Sequence, residues 1–456
     1  MYARIFMQGA LTTLGFWLVG CASFQHPANQ PIKKTDDATG YRMTHARSGH
    51  LGDSLILLSF SGGGTRAAAL SYGVLRELRD TLIEVQGQPR RLLDEVDSIS
   101  SVSGGSFTAA YYGLFGDKLF EDYKPDFLNQ SIQGILIRKL FDPSYWWRSI
   151  STGFDRTELA IEYYDEHIFK GKRFADINLS TGPFIEINAT DLGMGTRFSF
   201  VQAYFDLICS DLGQIHLARA VTASSAVPIM FPTVVLENHA GACDPSNTSF
   251  VEHLMAKDGN DPRVAELQAR VRHYRDPVQH PYIHLLDGGI ADNLGLRALA
   301  ERVETYGSGL GRLFTRETAP KRILIISVDA EVHPLKSVDQ RPDKPTLSET
   351  VDAFSDVQLR LYNRETRILM DEKLKQIEND LAQAGTPARI YFATVSFSTV
   401  SGKSLRDHLN SLPTSLELSP SDVDMLDRVG GELLRKDQDY RNFLSDLRQS
   451  SKAVPH

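Results

Sequence analysis

The sequence has few cysteines, and none of them stands at metal-binding spacing. Only three occur in 456 residues, at positions 21, 209 and 243, and no C-x-x-C pair is present. Lysine and arginine form no block, and the net charge of −8 argues against a polyanion-binding surface. We therefore expect no metal, no cofactor and no nucleic-acid partner.

The N-terminal apolar stretch is too short for a permanent membrane span. It covers 5–19, about 15 residues, which is typical of a signal peptide. It ends in "LVGC", which resembles a bacterial lipobox. The resemblance implies a signal peptide over 1–20, a lipidated Cys21 and a polar tether over 21–53. An ordinary signal peptide, or a buried helix with a chance cysteine, is the alternative.

Such a signal predicts a lipid-anchored protein of the bacterial cell envelope. Ala22, after the lipidated position, is compatible with sorting to the outer membrane, facing the periplasm. Exported compartments are oxidising, so Cys209 and Cys243 are expected to form a disulfide. Two buried thiols are the alternative.

Short apolar runs alternate with helical patterns along the chain, and no internal repeat occurs. Runs that predict strands lie at 54–60, 183–192, 281–289, 321–330 and 388–397. A helical pattern over 67–82 follows the first of them. Strands separated by helices predict a layered α/β fold.

We divide the chain into an α/β domain over 54–300 and an extension over 301–456. The domain contains an insertion at about 233–280, in which Asp261 as N-cap and Pro262 begin a helix. We expect this helix to pack on the domain surface, with a lid as the alternative. The extension is mainly helical and is expected to complete the core or to pack on it.

Three consecutive glycines follow the first strand. In "SFSGGGTRAAAL", Gly62, Gly63 and Gly64 separate the strand from a helix, where they allow unusual backbone angles and close approach. Amides at a helix N-terminus can bind a phosphate or an oxyanion. The G-K-[ST] ending of a P-loop is absent. Taken alone, the motif is either an anion site or a tight turn.

The stretch "SISSVSGGSF" contains one serine suited to a nucleophile. A serine on a sharp strand-to-helix turn needs small residues two positions before and after it. Ser103 has Ser101 and Gly105 there, whereas centring on Ser101 would place bulky Ile99 in the turn. Ser106 lies past the predicted helix start. A structural serine-rich turn is the alternative.

An acidic residue ends a later strand. In "LLDGGIADNLG", Asp287 precedes two glycines, which is expected to place it at the carboxyl edge of the sheet, where ligands of open α/β sheets bind. By itself, an Asp-Gly-Gly turn is usually structural.

The three motifs in this order resemble the patatin-like phospholipase family over about 54–300. The stretch "ARAVTASSAVPIMFPTV" is similar to that family's Ala/Ser-rich helix and Pro turn. The resemblance implies a three-layer α/β/α domain with a mainly parallel sheet. It also implies a Ser–Asp dyad, with Ser103 as nucleophile and Asp287 as general base. The three glycines match the oxyanion loop, and Arg66 matches the basic position after it.

The resemblance implies a serine hydrolase that cleaves carboxylic esters through an acyl-serine intermediate. It would be a lipid acyl hydrolase of the phospholipase A or lysophospholipase kind, with membrane lipids as substrate and anchor. This sequence departs from the family pattern at Ser61, where Asp is frequent, and at Ala67 and Ser101, where Gly is frequent. Ser101 is expected to put some strain on the turn, with its hydroxyl able to form a hydrogen bond nearby.

Two other classes remain open. A Ser–Asp–His triad would need a histidine after the acid, and His333 or His408 with Asp329 are the candidates. A non-catalytic envelope lipoprotein scaffold is the other class. The stretch "SYWWR" over 144–148 is either an interfacial lipid contact or a set of core aromatics.

Overall fold

The computed structural model describes residues 29–46, 51, 53–85, 87–228, 230–306, 320–333 and 342–452. The predicted signal peptide and Cys21 lie outside these residues. Among the residues described, no helix combines the length and the apolar character that crossing a bilayer requires.

The chain forms ten strands within the described residues. They are β1 (Ser54–Phe60), β2 (Leu82–Val85), β3 (Gln88–Arg91), β4 (Ser98–Val102), β5 (Phe184–Asp191), β6 (Thr196–Phe200), β7 (Val234–Glu237), β8 (Tyr282–Leu286), β9 (Arg322–Asp329) and β10 (Arg389–Ser396).

Sixteen α-helices are described as well. The first eight are α1 (Gly64–Asp80), α2 (Gly104–Phe115), α3 (Leu119–Tyr123), α4 (Ile132–Leu140), α5 (Pro143–Thr152), α6 (Arg156–His167), α7 (Gln202–Leu207) and α8 (Leu217–Ser224). The others are α9 (Ser249–Met255), α10 (Pro262–Tyr274), α11 (Gly289–Asp292), α12 (Arg297–Tyr306), α13 (Leu347–Gln383), α14 (Lys403–Ser411), α15 (Pro420–Lys436) and α16 (Gln438–Lys452).

Eight strands form one mixed sheet in the order β10-β9-β1-β4-β5-β8-β7, with β6 also paired to β5. The strands from β10 to β5 are parallel, whereas β6, β7 and β8 are antiparallel to their neighbours. Strands β2 and β3 form a separate hairpin. Because β1 and β4 are adjacent and parallel, the segments that follow them leave the same edge of the sheet side by side.

Helices cover both faces of the sheet. On β1, Ile56 and Leu58 belong to the larger core, and Leu57 between them belongs to a second, smaller core. The second core is closed by residues of α12 and α13, such as Val303 and Met370. This alternation follows from the two-residue period of a strand. The predicted three-layer α/β/α fold with a mainly parallel sheet is confirmed.

The C-terminal extension completes the core. Its strand β9 pairs with β1, and its strand β10 pairs with β9 at the edge of the sheet, both in parallel. Helix α15 crosses α1 at glycines: a Cβ on Gly73 would lie 2.1 Å from the carbonyl oxygen of Asp427, and one on Gly430 would lie 2.5 Å from that of Leu70. The two helices can approach this closely because neither glycine has a side chain.

Residues 29–46 differ from the tether expected over 21–53. Tyr41 is buried, stacks on Phe184 with ring centroids 4.8 Å apart, and accepts the backbone N–H of Ile185 at 2.8 Å. Arg42 is also buried and pairs with Asp206 at 2.7 Å. The polar, turn-rich composition did not predict that this segment packs on the domain, because the packing depends on one aromatic side chain and one buried ion pair.

The insertion packs on the domain. Asp261 accepts the N–H of Arg263 at 2.9 Å and so caps α10, whose apolar stripe is buried. Arg270 on this helix is buried as well and contacts Tyr204 and Glu301, a contact that the sequence pattern did not indicate. A disulfide joins Cys209 and Cys243, with their Cα atoms 5.6 Å apart.

Candidate active site

Ser103 occupies the sharp turn between β4 and α2. Its φ of 49° lies in the left-handed region, which a residue with a side chain rarely adopts. The turn closes tightly on the end of β1 and the start of α1: a Cβ on Gly105 would lie 2.7 Å from that of Phe60, and one on Gly104 would lie 2.0 Å from the carbonyl oxygen of Gly64. Glycine is therefore required at both positions.

Ser101 does not strain this turn, contrary to the expectation. It is the fourth residue of β4, and it is not among the described residues with positive φ. Its buried hydroxyl donates to the carbonyl of Glu186 on β5 at 3.1 Å. A side chain is accommodated here because the position still belongs to the sheet.

The N–H of Ser103 is bonded to the end of another helix. Ser224, the last residue of α8, accepts it with its hydroxyl at 2.8 Å and donates to the carbonyl of Asn188 on β5 at 2.6 Å. The same hydroxyl lies 3.1 Å from that of Ser106. Ser224 thus satisfies the buried N–H of the strained residue.

Asp287 follows β8 and faces Ser103. Strand β8 runs antiparallel to β5 and pairs with it only near its end, at Thr190 and Asp191. Asp287 therefore lies at the carboxyl edge of β5, but at the end of a strand that runs antiparallel to β5. Its backbone is fixed by Ala226, which accepts its N–H at 3.0 Å, and by Thr190, which donates to its carbonyl at 2.8 Å.

The side chain of Asp287 is half-buried, and its carboxylate accepts the N–H of Gly289. Burial raises its pKa from 3.8 to about 6, while bonds from the Gly289 N–H, at 2.7 Å, and from the Ser103 side chain oppose this rise. A carboxylate with such a pKa is mostly ionised at neutral pH and is a stronger base than an ordinary aspartate. The side chain of Ser103 and the carboxylate of Asp287 are therefore neighbours in this site.

The glycine loop lies against Ser103. A Cβ on Gly62 would lie 3.4 Å from the Cβ of Ser103. The N–H of Gly62 is already used, because it donates to the carbonyl of Asn293 at 3.0 Å. The N–H groups of Gly63 and Gly64 have no acceptor among the described residues, and both glycines have positive φ. These two amides are the free donors of the loop.

Arg66 is buried and faces the C-terminal extension. Its guanidinium donates to the carbonyl of Ala330 at 3.0 Å, to that of Leu412 at 2.6 Å and to the hydroxyl of Thr414 at 3.1 Å. Nearby, Ser415 accepts the N–H of Thr65 at 2.8 Å. These bonds join the start of α1 to the segment 412–415, while the guanidinium also borders the glycine loop, where a Cβ on Gly63 would lie 3.2 Å from Arg66 Nη2. The role of Arg66 in the oxyanion loop stays a prediction.

The histidines of the alternative triad contact other groups. His408 lies 2.8 Å from Asp422, and His333 donates its backbone N–H to Asn410 at 2.9 Å. Asp329 is bonded to Arg367. Among the described contacts of Ser103, the basic group is the carboxylate of Asp287.

Sequence reasoning missed Ser224 and Asn293. The side-chain oxygen of Asn293 would lie 2.7 Å from a Cβ on Gly62 and 3.1 Å from one on Gly289, between the glycine loop and the Asp287 turn. It stands six residues after Asp287 in the same motif, which was the available signal. Ser224 lies 121 residues from Ser103, and no spacing rule connects them.

The arrangement defines a class of proteins: three-layer α/β/α chains with a serine at a strand–helix turn, facing an aspartate and a glycine-rich loop. A family model described as patatin-like phospholipase matches residues 58–300, more than half of the chain. The chain belongs to the patatin-like phospholipase family, as its motifs predicted. This membership makes it a lipid hydrolase in general terms.

Two solved structures are similar to this chain in fold. Human GIVD cytosolic phospholipase A2 is 12% identical, with a TM-score of 0.47, and the match covers 94% of this chain and 69% of that one. VipD from Legionella pneumophila is 11% identical, with a TM-score of 0.32, and the match covers 93% of this chain and 71% of that one. No curated protein matched in sequence.

Proposed function

We propose that the protein is a lipid acyl hydrolase that cleaves carboxylic esters with Ser103 as nucleophile and Asp287 as general base. The observation that carries the proposal is the contact between a serine at φ 49° and a half-buried carboxylate whose pKa is raised to about 6. A serine hydroxyl needs such a base because it is a weak nucleophile until its proton is removed.

The reaction would proceed in two halves. Asp287 takes the hydroxyl proton as the Ser103 oxygen attacks the ester carbonyl, and then returns it to the leaving alcohol or lysolipid. In the second half, Asp287 takes a proton from water as the water attacks the acyl-serine, and it returns this proton to Ser103 Oγ as the acyl–oxygen bond breaks and the fatty acid leaves. In both halves the oxyanion would accept hydrogen bonds from Gly63 and Gly64, each contributing about 2.7–4 kcal/mol in comparable sites.

The surroundings of Asp287 suit an acyl chain. Three exposed apolar residues closely follow Asp287 or its bonded partner Ala226 in the chain: Val227, Met230 and Ile290. Ile290 follows Asp287 by three residues, and the other two follow Ala226, whose carbonyl accepts the N–H of Asp287, by at most four. Exposed apolar side chains beside a site favour hydrocarbon over a polar substrate. The head group and the position of the scissile ester are left to product analysis by lipid mass spectrometry.

A fluorophosphonate probe tests the nucleophile directly. Wild type should be labelled, Ser103→Ala should not, and Asp287→Asn should be labelled far more slowly because its serine has lost the base. Ser225→Ala is the matched control, since within the described part of the chain that hydroxyl bonds only to the preceding helix, to Val221 at 2.8 Å and Thr222 at 3.5 Å. Undiminished labelling of Ser103→Ala would refute the assignment.

We also propose that the protein is anchored by acylated Cys21 in the bacterial envelope, at the periplasmic face of the outer membrane. The lipobox-like "LVGC" supports this, and a disulfide is consistent with an oxidising compartment. Residues 22–28 alone would then link the anchor to Asn29, a reach of at most about 25 Å. Membrane fractionation tests it: Cys21→Ser should release the protein, and unchanged fractionation would contradict the anchor.

A further inference from the structure

Helices α4 and α5 carry a large exposed apolar surface. Its members are Ile137, Phe141, Trp146, Trp147 and Ile150, and we call this set the aromatic face. Phe141 is 80% exposed, Trp147 75% and Ile150 72%. Isolated exposed apolar residues are common, but five within fourteen positions indicate an interaction site.

The helices under this face are firmly held. Ile132, Leu136 and Tyr145 on their inner sides are buried in the main core. Asp142 caps α5 by accepting the N–H of Ser144 at 2.8 Å, and Gly153 ends it in the left-handed conformation. Trp146, Trp147 and Ile150 therefore project from the outer side of a well-formed helix, and they are not part of the core.

The charge around the aromatic face is opposite to that of the whole chain. Segment 132–152 contains Arg138, Lys139 and Arg148 but only one acidic residue, Asp142, while the whole chain has a net charge of −8. Arg148 pairs with Glu162 at 2.6 Å, which leaves Arg138 and Lys139 as the basic pair beside Ile137. Basic side chains beside exposed tryptophans match a surface of anionic lipid headgroups.

The aromatic face is connected to the loop that is bonded to Asp287. Helix α6 follows α5 after three residues, and the hydroxyl of Thr157 in its first turn donates to the carbonyl of Pro232 at 2.8 Å. Pro232 lies in the loop between α8 and β7, and the carbonyl of Ala226 in the same loop accepts the N–H of Asp287. The exposed Met230 lies in this loop. A short run of bonded residues thus joins the face to the catalytic pair.

We propose that the aromatic face docks the protein on a lipid surface that carries anionic headgroups. Tryptophan and phenylalanine would enter the headgroup–acyl boundary, and Arg138 and Lys139 would contact the anionic headgroups. Docking would bring ester bonds close to the loop of Met230, a consequence that rests on the proposed hydrolase function. The docking itself does not depend on catalysis.

Binding is tested with full-length protein carrying Ser103→Ala, to prevent hydrolysis, and Cys21→Ser, to prevent acylation. The probes are vesicles of phosphatidylcholine with and without phosphatidylglycerol, at low and high salt. In this background, W146A/W147A should weaken flotation with the mixed vesicles by about tenfold or more. Val278→Ala, at a position 83% exposed and outside the face, is the matched control and should bind like the parent.

Tryptophan emission gives an independent measure. The chain has only one other tryptophan, Trp17, so Trp17→Phe leaves Trp146 and Trp147 as the sole emitters. Mixed vesicles should shift their emission to shorter wavelength, and R138A/K139A should reduce this shift, most strongly at low salt. Melting temperatures of all variants are measured alongside, since loss of these exposed side chains should alter stability little.

Unchanged flotation of W146A/W147A, or no emission shift in the parent, would overturn the proposal. So would a change in sedimentation mass caused by W146A/W147A without a change in vesicle binding, because the face would then be a contact between two copies of the chain. Failure of the hydrolase function is a separate result: wild type would not turn over a soluble ester, while vesicle binding would still be measurable.

Discussion

The hydroxyl of Ser224 lies 2.8 Å from the backbone nitrogen of Ser103 and accepts its hydrogen bond, while it donates to the carbonyl of Asn188 at 2.6 Å. It thereby connects the turn after β4 to strand β5 through the end of α8. A residue at φ 49° keeps that conformation only when its surroundings stabilise it. Ser224 is a positioning residue in this sense, because it acts on the backbone of Ser103.

We expect Ser224→Ala to impair both stability and turnover. The change leaves the N–H of Ser103 buried and unbonded, which costs about 1–3 kcal/mol. If the turn relaxes, kcat should fall by about tenfold or more. Chemical denaturation and turnover of a soluble ester measure the two effects, with Ser225→Ala as the control. Equal behaviour of the two variants would contradict a positioning role for Ser224.

Asp287→Asn is expected to stabilise the protein while it removes activity. The pKa of Asp287 is raised from 3.8 to about 6 by burial, so the ionised form is disfavoured in the folded state. The wild type should therefore lose stability as pH rises from about 4 to above 6, by roughly 3 kcal/mol. Neutral asparagine avoids this loss, so its advantage in melting temperature should be full at pH 7 and absent below about pH 4.

The same pKa predicts the pH profile of catalysis. The base must be ionised, so kcat/KM of the wild type should fall as pH decreases through about 6. Asp292 is a useful control because burial also raises its pKa to about 6, so it would titrate in the same pH range as Asp287. Its carboxylate accepts the backbone N–H of Arg297 at 2.9 Å and has no role in the proposed reaction. Asp292→Asn should keep the inflection. If the inflection disappeared in Asp292→Asn, the titrating group would be Asp292 and not Asp287.

The sequence predicted the parts of the site that depend on local geometry. Ser103 could be identified because a tight turn needs small neighbours, and Gly105 meets Phe60 as that argument requires. Contacts from distant segments could not be predicted. Arg66 follows the glycine loop directly, but its hydrogen bonds reach Leu412, 346 residues away. Tyr41, in a polar segment, is buried by Phe174 and Phe184 for the same reason.

At position 101, the rule that a tight turn needs the smallest residues gives the wrong expectation. The family pattern favours glycine there, but in this structure Ser101 is an ordinary strand residue whose hydroxyl binds Glu186. Ser101→Gly should therefore not raise activity, and it should lower the free energy of unfolding by about 1–2 kcal/mol. Gly105→Ala is the informative comparison, because its Cβ would lie 2.7 Å from that of Phe60.

We expect Gly105→Ala to slow fluorophosphonate labelling of Ser103 sharply, because the turn must shift to admit the methyl group. We compare the labelling rates and denaturation curves of Gly105→Ala and Ser101→Gly to tell a residue that the turn requires from an ordinary strand residue. A gain of activity in Ser101→Gly would show that the serine does strain the turn.

Arg66→Leu tests whether this arginine supports the fold or the oxyanion. Its guanidinium is bonded to Ala330, Leu412 and Thr414, so its loss should leave buried carbonyls unsatisfied and cost about 2–4 kcal/mol. The segment 412–415 should become sensitive to proteolysis at temperatures where wild type resists. Arg79→Leu on the same helix is the control, because its ion pair with Asp80 is partly exposed and worth about 1 kcal/mol or less.

The two roles of Arg66 predict different kinetics. A residue that only joins α1 to the extension should lower the folded fraction and leave kcat per folded molecule nearly unchanged at low temperature. A residue that stabilises the oxyanion should lower kcat about a hundredfold or more with normal folding. Active-site titration with the fluorophosphonate gives the folded, competent fraction, so the ratio of rate to titrated sites decides between them. The bonds to Leu412 and Ala330 lead us to expect the first result.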